Sequence, residues 1–373
     1  MPKRQPGGHA ASTAMMITVA DPDRRLRDED SKGVLTVSRT AKPAAAKLLT
    51  LVLLLAGLAG LVDCGGSATS PAAFSSSCTG SGTALSGAAA TRTIPARVVH
   101  TATATLVLVP VCLSGHGPYP FVLDTGATQS LVDRTLADQL HLALTGTSTP
   151  ATGVACTVAA AHVQMPSWSV GEVPLRAQTL TSLPLTGAPE GPHIAGLLGS
   201  DVWSRFGRFQ LDYRAGQVLL PGPEQATAPT SAPPSPADPA PSAPGSQRVP
   251  MTVIRSGAST VAVVPVTIEG AGSRRFALDT GASSSVVDRR VAQQLSLPPV
   301  GRAGNAAGVS CSAKSQPVHV DSWRVGVVTL PAQDLDSIAL PVPGLDGLLG
   351  SDVLSRFGTV TIDYAASRLV LGG

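Results

Sequence analysis

A long stretch of this chain occurs twice. ATLVLVPVCLSGHGPYPFVLDTGATQSLVD at Ala104–Asp133 aligns with STVAVVPVTIEGAGSRRFALDTGASSSVVD at Ser259–Asp288, at a constant offset of 155 residues. The same offset pairs Leu140 with Leu295, Gly153 with Gly308, Cys156 with Cys311, Trp168 with Trp323 and Gln178 with Gln333. A four-residue deletion then shifts it to 151, pairing GLLGSDVWSRFGRFQLDY (Gly196–Tyr213) with GLLGSDVLSRFGTVTIDY (Gly347–Tyr364). The chain therefore folds as two copies of one small domain, and any docking between them is constrained towards a pseudo-twofold axis.

The copies read as strands. Val107–Leu113 and Val261–Ile268 are apolar, β-branched runs that end in Gly-bearing turns, and Phe121–Leu123 and Phe276–Leu278 are short apolar strands leading to an Asp. Asp133 and Asp288 are placed to cap short helices with apolar positions four apart, Val132, Leu136 and Leu140, and Val287, Val291 and Leu295. A second short helix is expected at Asp201 and Asp352. With 43% hydrophobic and only 3% aromatic residues, the fold class expected is all-β. PGPEQATAPTSAPPSPADPAPSAPGSQ, Pro221 to Gln247, is too rich in proline for a ladder or a core and reads as a linker.

The net charge of +3 belongs to the N-terminus, since residues 64–373 carry 18 basic and 18 acidic side chains. No basic stripe interleaved with aromatics exists, which excludes nucleic acid as an expected partner. The seven His show no paired ligand spacing, so no metal site is expected. No G-x-S-x-G elbow or C-x-x-C is present.

Leu48–Val62 is a 15-residue apolar run preceded by Arg39, Lys42 and Lys47. It is short for a membrane span and of the right length for an export signal. Cys64 follows, then Gly65, Gly66 and Ser67, and this arrangement resembles a bacterial lipoprotein signal. That resemblance implies lipid attachment at Cys64, an exported chain and a membrane anchor; Asp63 departs from the pattern, which has a small residue there. The polar segment Asp21–Asp30 ahead of the signal points to Val34 or Val37 as an alternative start. If Cys64 is lipidated, Cys78, Cys112, Cys156 and Cys311 allow three pairings. Cys112 has Thr267 as its counterpart, so a bond from it to Cys78 or Cys156 breaks the symmetry.

Each copy carries Asp-Thr-Gly-Ala directly after an apolar strand: Asp124, Thr125, Gly126 and Ala127, then Asp279, Thr280, Gly281 and Ala282. A tight Gly turn presents the carboxylate, and a pseudo-twofold would bring the two loops together. Two carboxylates in contact share a proton, so the ionised one can deprotonate water while the neutral one polarises a carbonyl. The chain resembles the retropepsin-like aspartic proteases, in tandem, over nearly the whole of both copies. That resemblance implies two acid-protease β-barrel domains forming a pseudo-twofold dimer within one chain, with Asp124 and Asp279 as the catalytic dyad. It further implies loops cross-linked by Thr125 and Thr280, turned at Gly126 and Gly281, and braced by Leu197-Leu198-Gly199 and Leu348-Leu349-Gly350. Ser200 and Ser351 stand where the family usually has Arg, which implies a weaker brace at the interface. Ala127 and Ala282, in place of a hydroxyl donor, imply a working pH of about 5–6 rather than 2–3. Flap hairpins are expected at Thr149–Cys156 and Gly304–Cys311.

The organisation expected is an N-terminal extension and signal over 1–64, a Ser/Ala/Gly-rich tether over 65–96, retropepsin-like domains over 97–220 and 250–373, and the linker over 221–249. The activity implied is an exported endopeptidase that needs no cofactor and takes peptide or protein substrates. Three rivals remain open: a catalytically silent peptide-binding module, a homodimer in which like repeats pair between molecules, and an enzyme confined to processing its own linker.

Overall fold

The computed structural model describes residues 17–19, 74, 78, 91–100, 105–153, 157–185, 194–220, 245–308 and 312–372. The apolar run 48–62, Cys64, Cys156, Cys311, the tips expected for the two flaps and nearly all of the linker lie outside the described residues.

Each repeat builds one sheet, and the two sheets share one strand order. In the first repeat it runs Thr149–Gly153, Thr157–Met165, Gln178–Leu183, Leu131–Asp133, Gly196–Leu198, His116–Leu123, Thr105–Leu113, Trp168–Val170 and Val173–Leu175. In the second it runs Gly304–Ala307, Ser312–Val320, Gln333–Ile338, Val286–Asp288, Gly347–Leu349, Ala271–Leu278, Ser259–Ile268, Trp323–Val325 and Val328–Leu330. Gly196–Leu198 lies parallel to His116–Leu123 and antiparallel to Leu131–Asp133, so it wedges between the strand that enters the Asp-Thr-Gly loop and the strand that leaves it. One extra strand breaks the correspondence: Ile17–Val19 pairs antiparallel with Thr149–Gly153.

Why the strands are apolar on both faces is clear from their alternation. Val107, Val109, Val111, Phe121, Leu123, Val132 and Leu198 join the main core, while Leu108, Val122, Leu131 and Leu197 point the other way into a second, smaller cluster. The cap expected at each helix is present. Asp133 Oδ1 accepts from the Leu136 N–H at 3.2 Å, and its Oδ2 accepts from the Leu185 N–H at 2.9 Å. Asp288 does the same with the N–H groups of Arg290 and Leu340, at 2.8 and 3.0 Å.

A third sheet of six strands joins the repeats: Gln247–Pro250, Arg368–Leu371, Thr359–Asp363, Arg208–Asp212, Gln217–Leu220 and Arg92–Pro95. At its centre Gln210 faces Thr361, its own counterpart at the 151 offset, so the pseudo-twofold axis passes between them. Behind it the main core is continuous across both repeats, with Trp203 against Phe209 at 5.0 Å and Phe209 against Tyr364 at 6.5 Å between ring centroids. Among the described residues, this third sheet takes in Arg92–Pro95, inside the segment expected as tether, and Gln247–Pro250, which starts inside the expected linker. Asp212 and Asp363 close strand ends as turn acceptors. Trp168 and Trp323 are buried, each donating its indole N–H to a backbone carbonyl. Cys78 and Cys112 form a disulfide, one of the two pairings of Cys112 that break the repeat symmetry.

Candidate active site

Asp124 and Asp279 sit at the ends of equivalent strands, each held from behind by a backbone bond. The Asp124 N–H donates to Leu198 O and the Asp279 N–H to Leu349 O, both at 3.0 Å. The Leu-Leu-Gly stretches therefore lie hydrogen-bonded behind the two loops. In each loop the N–H groups of the next Gly and Ala converge on one carboxylate oxygen. Gly126 and Ala127 donate to Asp124 Oδ1 at 3.0 and 2.8 Å, and Gly281 and Ala282 to Asp279 Oδ1 at the same distances.

The loops interlock through their threonines. The Thr125 N–H donates to Thr280 Oγ1 at 3.0 Å, and the Thr280 N–H to Thr125 Oγ1 at 3.1 Å. Each hydroxyl donates onward across the axis, Thr125 to Leu278 O at 2.9 Å and Thr280 to Leu123 O at 2.8 Å. Each carboxyl rests against the opposite glycine. A Cβ added at Gly126 would overlap the Asp279 carboxyl, and one at Gly281 would overlap that of Asp124. Glycine is required at both positions because the other repeat's acid occupies the space.

Both acids are fully buried, and their Oδ2 atoms meet no donor among the described residues. Burial lifts both carboxyls above the ordinary carboxylate range; for Asp124 the neighbouring Asp279 charge adds to the rise, and the loop N–H groups pull each partly back. Where one of the pair stays protonated, the two coupled acids share that proton.

The serines that stand in for Arg do not leave the interface unbraced. Ser200 Oγ donates to Ala127 O at 2.9 Å or to Thr260 O of the other repeat at 2.5 Å. Ser351 Oγ donates to Thr280 O at 2.9 Å and lies 3.0 Å from the Tyr213 hydroxyl of the first repeat. Each hydroxyl therefore reaches a loop carbonyl of its own repeat, and Thr260 O and Tyr213 Oη bring the other repeat to the same two serines.

Behind each loop lies a buried polar bracket that the motif alone does not reveal. The Gly199 N–H donates to Ser130 Oγ at 2.9 Å, Ser130 donates to Asp201 Oδ1 at 2.7 Å, and Gln178 Nε2 donates to Asp201 Oδ2 at 2.8 Å. Gly350, Ser285, Asp352 and Gln333 repeat it at 3.0, 2.7 and 3.0 Å. Burial raises both of these carboxyls, opposed by the serine hydroxyls. Their signal in the sequence was the persistence of Ser, Gln and Asp at matching positions in both copies.

The sequence profile of the family described as Aspartyl protease matches residues 109–202 and 264–353, once in each repeat. Both repeats belong to the aspartyl protease family. Among solved structures, the chain is similar to a retropepsin-like aspartic protease from Rickettsia conorii, at 20% identity over 34% of this chain and 90% of that one, with a TM-score of 0.25. It is also similar to Basic 7S globulin from soybean, at 11% identity over 76% of this chain and 95% of that one, with a TM-score of 0.38. No curated protein matches the chain. The two family segments contain both Asp-Thr-Gly-Ala loops, both Leu-Leu-Gly braces and both helix starts.

Proposed function

We propose that the chain is an aspartic endopeptidase whose single site takes one acid from each repeat, carried outside the cytoplasm and held at the membrane by lipid on Cys64. The observation that carries the catalytic reading is the mutual seating of Asp124 and Asp279 against Gly281 and Gly126. The ionised acid takes a proton from a water between the pair, and the neutral acid donates its proton to the carbonyl oxygen of the scissile bond. The water oxygen bonds the carbonyl carbon to give a neutral gem-diol. On collapse the C–N bond breaks, the amine nitrogen takes a proton from one acid and a diol hydroxyl returns one to the other, restoring the singly protonated pair.

The N–H groups of Gly126 and Ala127, and of Gly281 and Ala282, supply the pre-arranged donors that hold charge on one oxygen of each acid. The test is cleavage of a mixed peptide library between pH 4 and 7 by the full-length chain, with Asp124→Asn/Asp279→Asn as the control. Products from the parent and none from the control support the proposal; cleavage that survives in the control overturns it. Extraction of the expressed protein into detergent, with loss of that behaviour in Cys64→Ser, tests the anchor.

A further inference from the structure

Repeat 2 carries an open pocket lined by no residue of the catalytic loops or flap strands. It holds about 340 Å³ against strands Ser259–Ile268 and Ala271–Leu278, where the chain enters at Pro250–Thr252. The register fixes which side chains share its face: Thr252 lies opposite Val263, and Pro265 opposite Arg275. Val263 is buried and Pro265 half-buried, and together they make an apolar floor. Thr252, Ser273 and Arg275 stand exposed at the rim. Arg275 is four positions, about 13 Å, up the strand from Asp279.

The cation is held in place. The Arg275 N–H donates to Asp346 Oδ2 at 2.9 Å, and the Arg275 carbonyl accepts from the Asp346 N–H at 2.8 Å. One guanidinium nitrogen lies against Gly344, 3.1 Å from where a Cβ would stand. Among the described residues, the side chains of Thr252, Ser273 and Arg275 have no hydrogen-bond or ion-pair partner. Arg274 extends to the helix beyond the strand, with its Nη1 3.5 Å from Gln294 Oε1.

Repeat 1 builds the same strands without these donors. At the 155 offset Ser273 and Arg275 correspond to Pro118 and Pro120, and Thr252 corresponds to Arg97. The Arg97 guanidinium is 5.8 Å from the ring centroid of Phe74, four residues before the disulfide-bonded Cys78. The cation of repeat 1 is thus engaged by the chain's own ring, whereas that of repeat 2 faces solvent. Since two prolines serve the fold at these positions in repeat 1, the fold does not require Ser273 and Arg275.

We infer that this pocket binds a carboxylate carried on a small branched apolar body. The planar guanidinium fork pairs the two carboxylate oxygens, the Ser273 and Thr252 hydroxyls donate at their edges, and the apolar body rests on Val263 and Pro265. One cation matches a single negative charge better than the nearly double charge of a phosphate group. The carboxylate comes from an acidic side chain of a peptide or from a free carboxylic acid. The site stands apart from the dyad and does not depend on the endopeptidase reading.

The test is calorimetric titration of the full-length chain at pH 7 and low salt with acetyl-Val-Glu-Val-amide, isovalerate and inorganic phosphate. Acetyl-Val-Gln-Val-amide and isovaleramide are the uncharged controls. The inference predicts that one carboxylate binds at least about tenfold tighter than its control and than phosphate. Binding of the peptide identifies an acidic segment as the ligand, and binding of isovalerate alone identifies a free acid. Arg275→Gln is expected to abolish the difference, Arg275→Lys to keep only part of it, and Asp124→Asn/Asp279→Asn to leave it unchanged. If Arg275→Gln fails to fold, Ser273→Ala must shrink the difference. Equal binding of charged and uncharged forms, phosphate binding as tightly as either carboxylate, or a preference that survives Arg275→Gln overturns the inference. A preference lost in the dyad variant places the ligand in the catalytic cleft and overturns it as well.

Discussion

At the scale of single residues, the site is controlled by burial. Asp124 and Asp279 hold protons to higher pH in the folded chain than in the unfolded one, so folding binds protons and stability falls as pH rises. The loss begins where unfolded carboxyls ionise, near pH 4, and is complete above the raised folded values. Asp279→Asn is therefore expected to melt at a higher temperature than the parent at pH 7 and at the same temperature at pH 3; calorimetry at both pH values checks it. An equal gain at both would place the effect outside ionisation. The same burial keeps one proton on the pair well above pH 3, so the cleavage optimum is expected at about pH 5 or higher, the direction already implied by Ala127 and Ala282. Gly126→Ala is expected to lose at least about a hundredfold in kcat while keeping its secondary structure by circular dichroism, because the added methyl displaces the Asp279 carboxyl and removes its role in proton transfer.

At the scale of elements, much was legible. The strand before each Asp, the capped helix after it and the Leu-Leu-Gly brace follow from apolar runs, a capping Asp and a Gly at fixed offsets. The dyad itself was legible only because the chain is duplicated: one Asp-Thr-Gly says little, and two related loops require an axis. The serine cross-links were not legible, because Ser200 and Ser351 were measured against an Arg they replace and their partners, Thr260 O and Tyr213 Oη, lie far away in sequence. Choice of Cys78 over Cys156 was equally hidden, since it depends on where the segment carrying Phe74 lies. Ser351→Ala removes one buried cross-link and its Tyr213 contact, and should cost about 1–3 kcal/mol in denaturant unfolding. Tyr213→Phe tests the same contact from the other side. The two losses should be less than additive, because they remove a shared bond.

At the scale of the whole molecule, the repeats are halves of one core rather than beads on a linker. Arg208–Asp212 pairs directly with Thr359–Asp363, and Trp203, Phe209 and Tyr364 pack as one group across the axis. The Pro-rich segment then serves to connect the halves, and its cleavage at an introduced protease site should leave them associated on gel filtration and still active. Separation into free halves would contradict the shared core. The measurement that bears most directly on this account is the activity of the two single variants, Asp124→Asn and Asp279→Asn, on one peptide substrate at one pH. The account predicts that each alone lowers kcat by about 10²–10⁴-fold, since one site needs both acids. If each single variant instead kept about half the activity and only the double variant lost it, the repeats would carry separate sites, and the one-site account would be wrong.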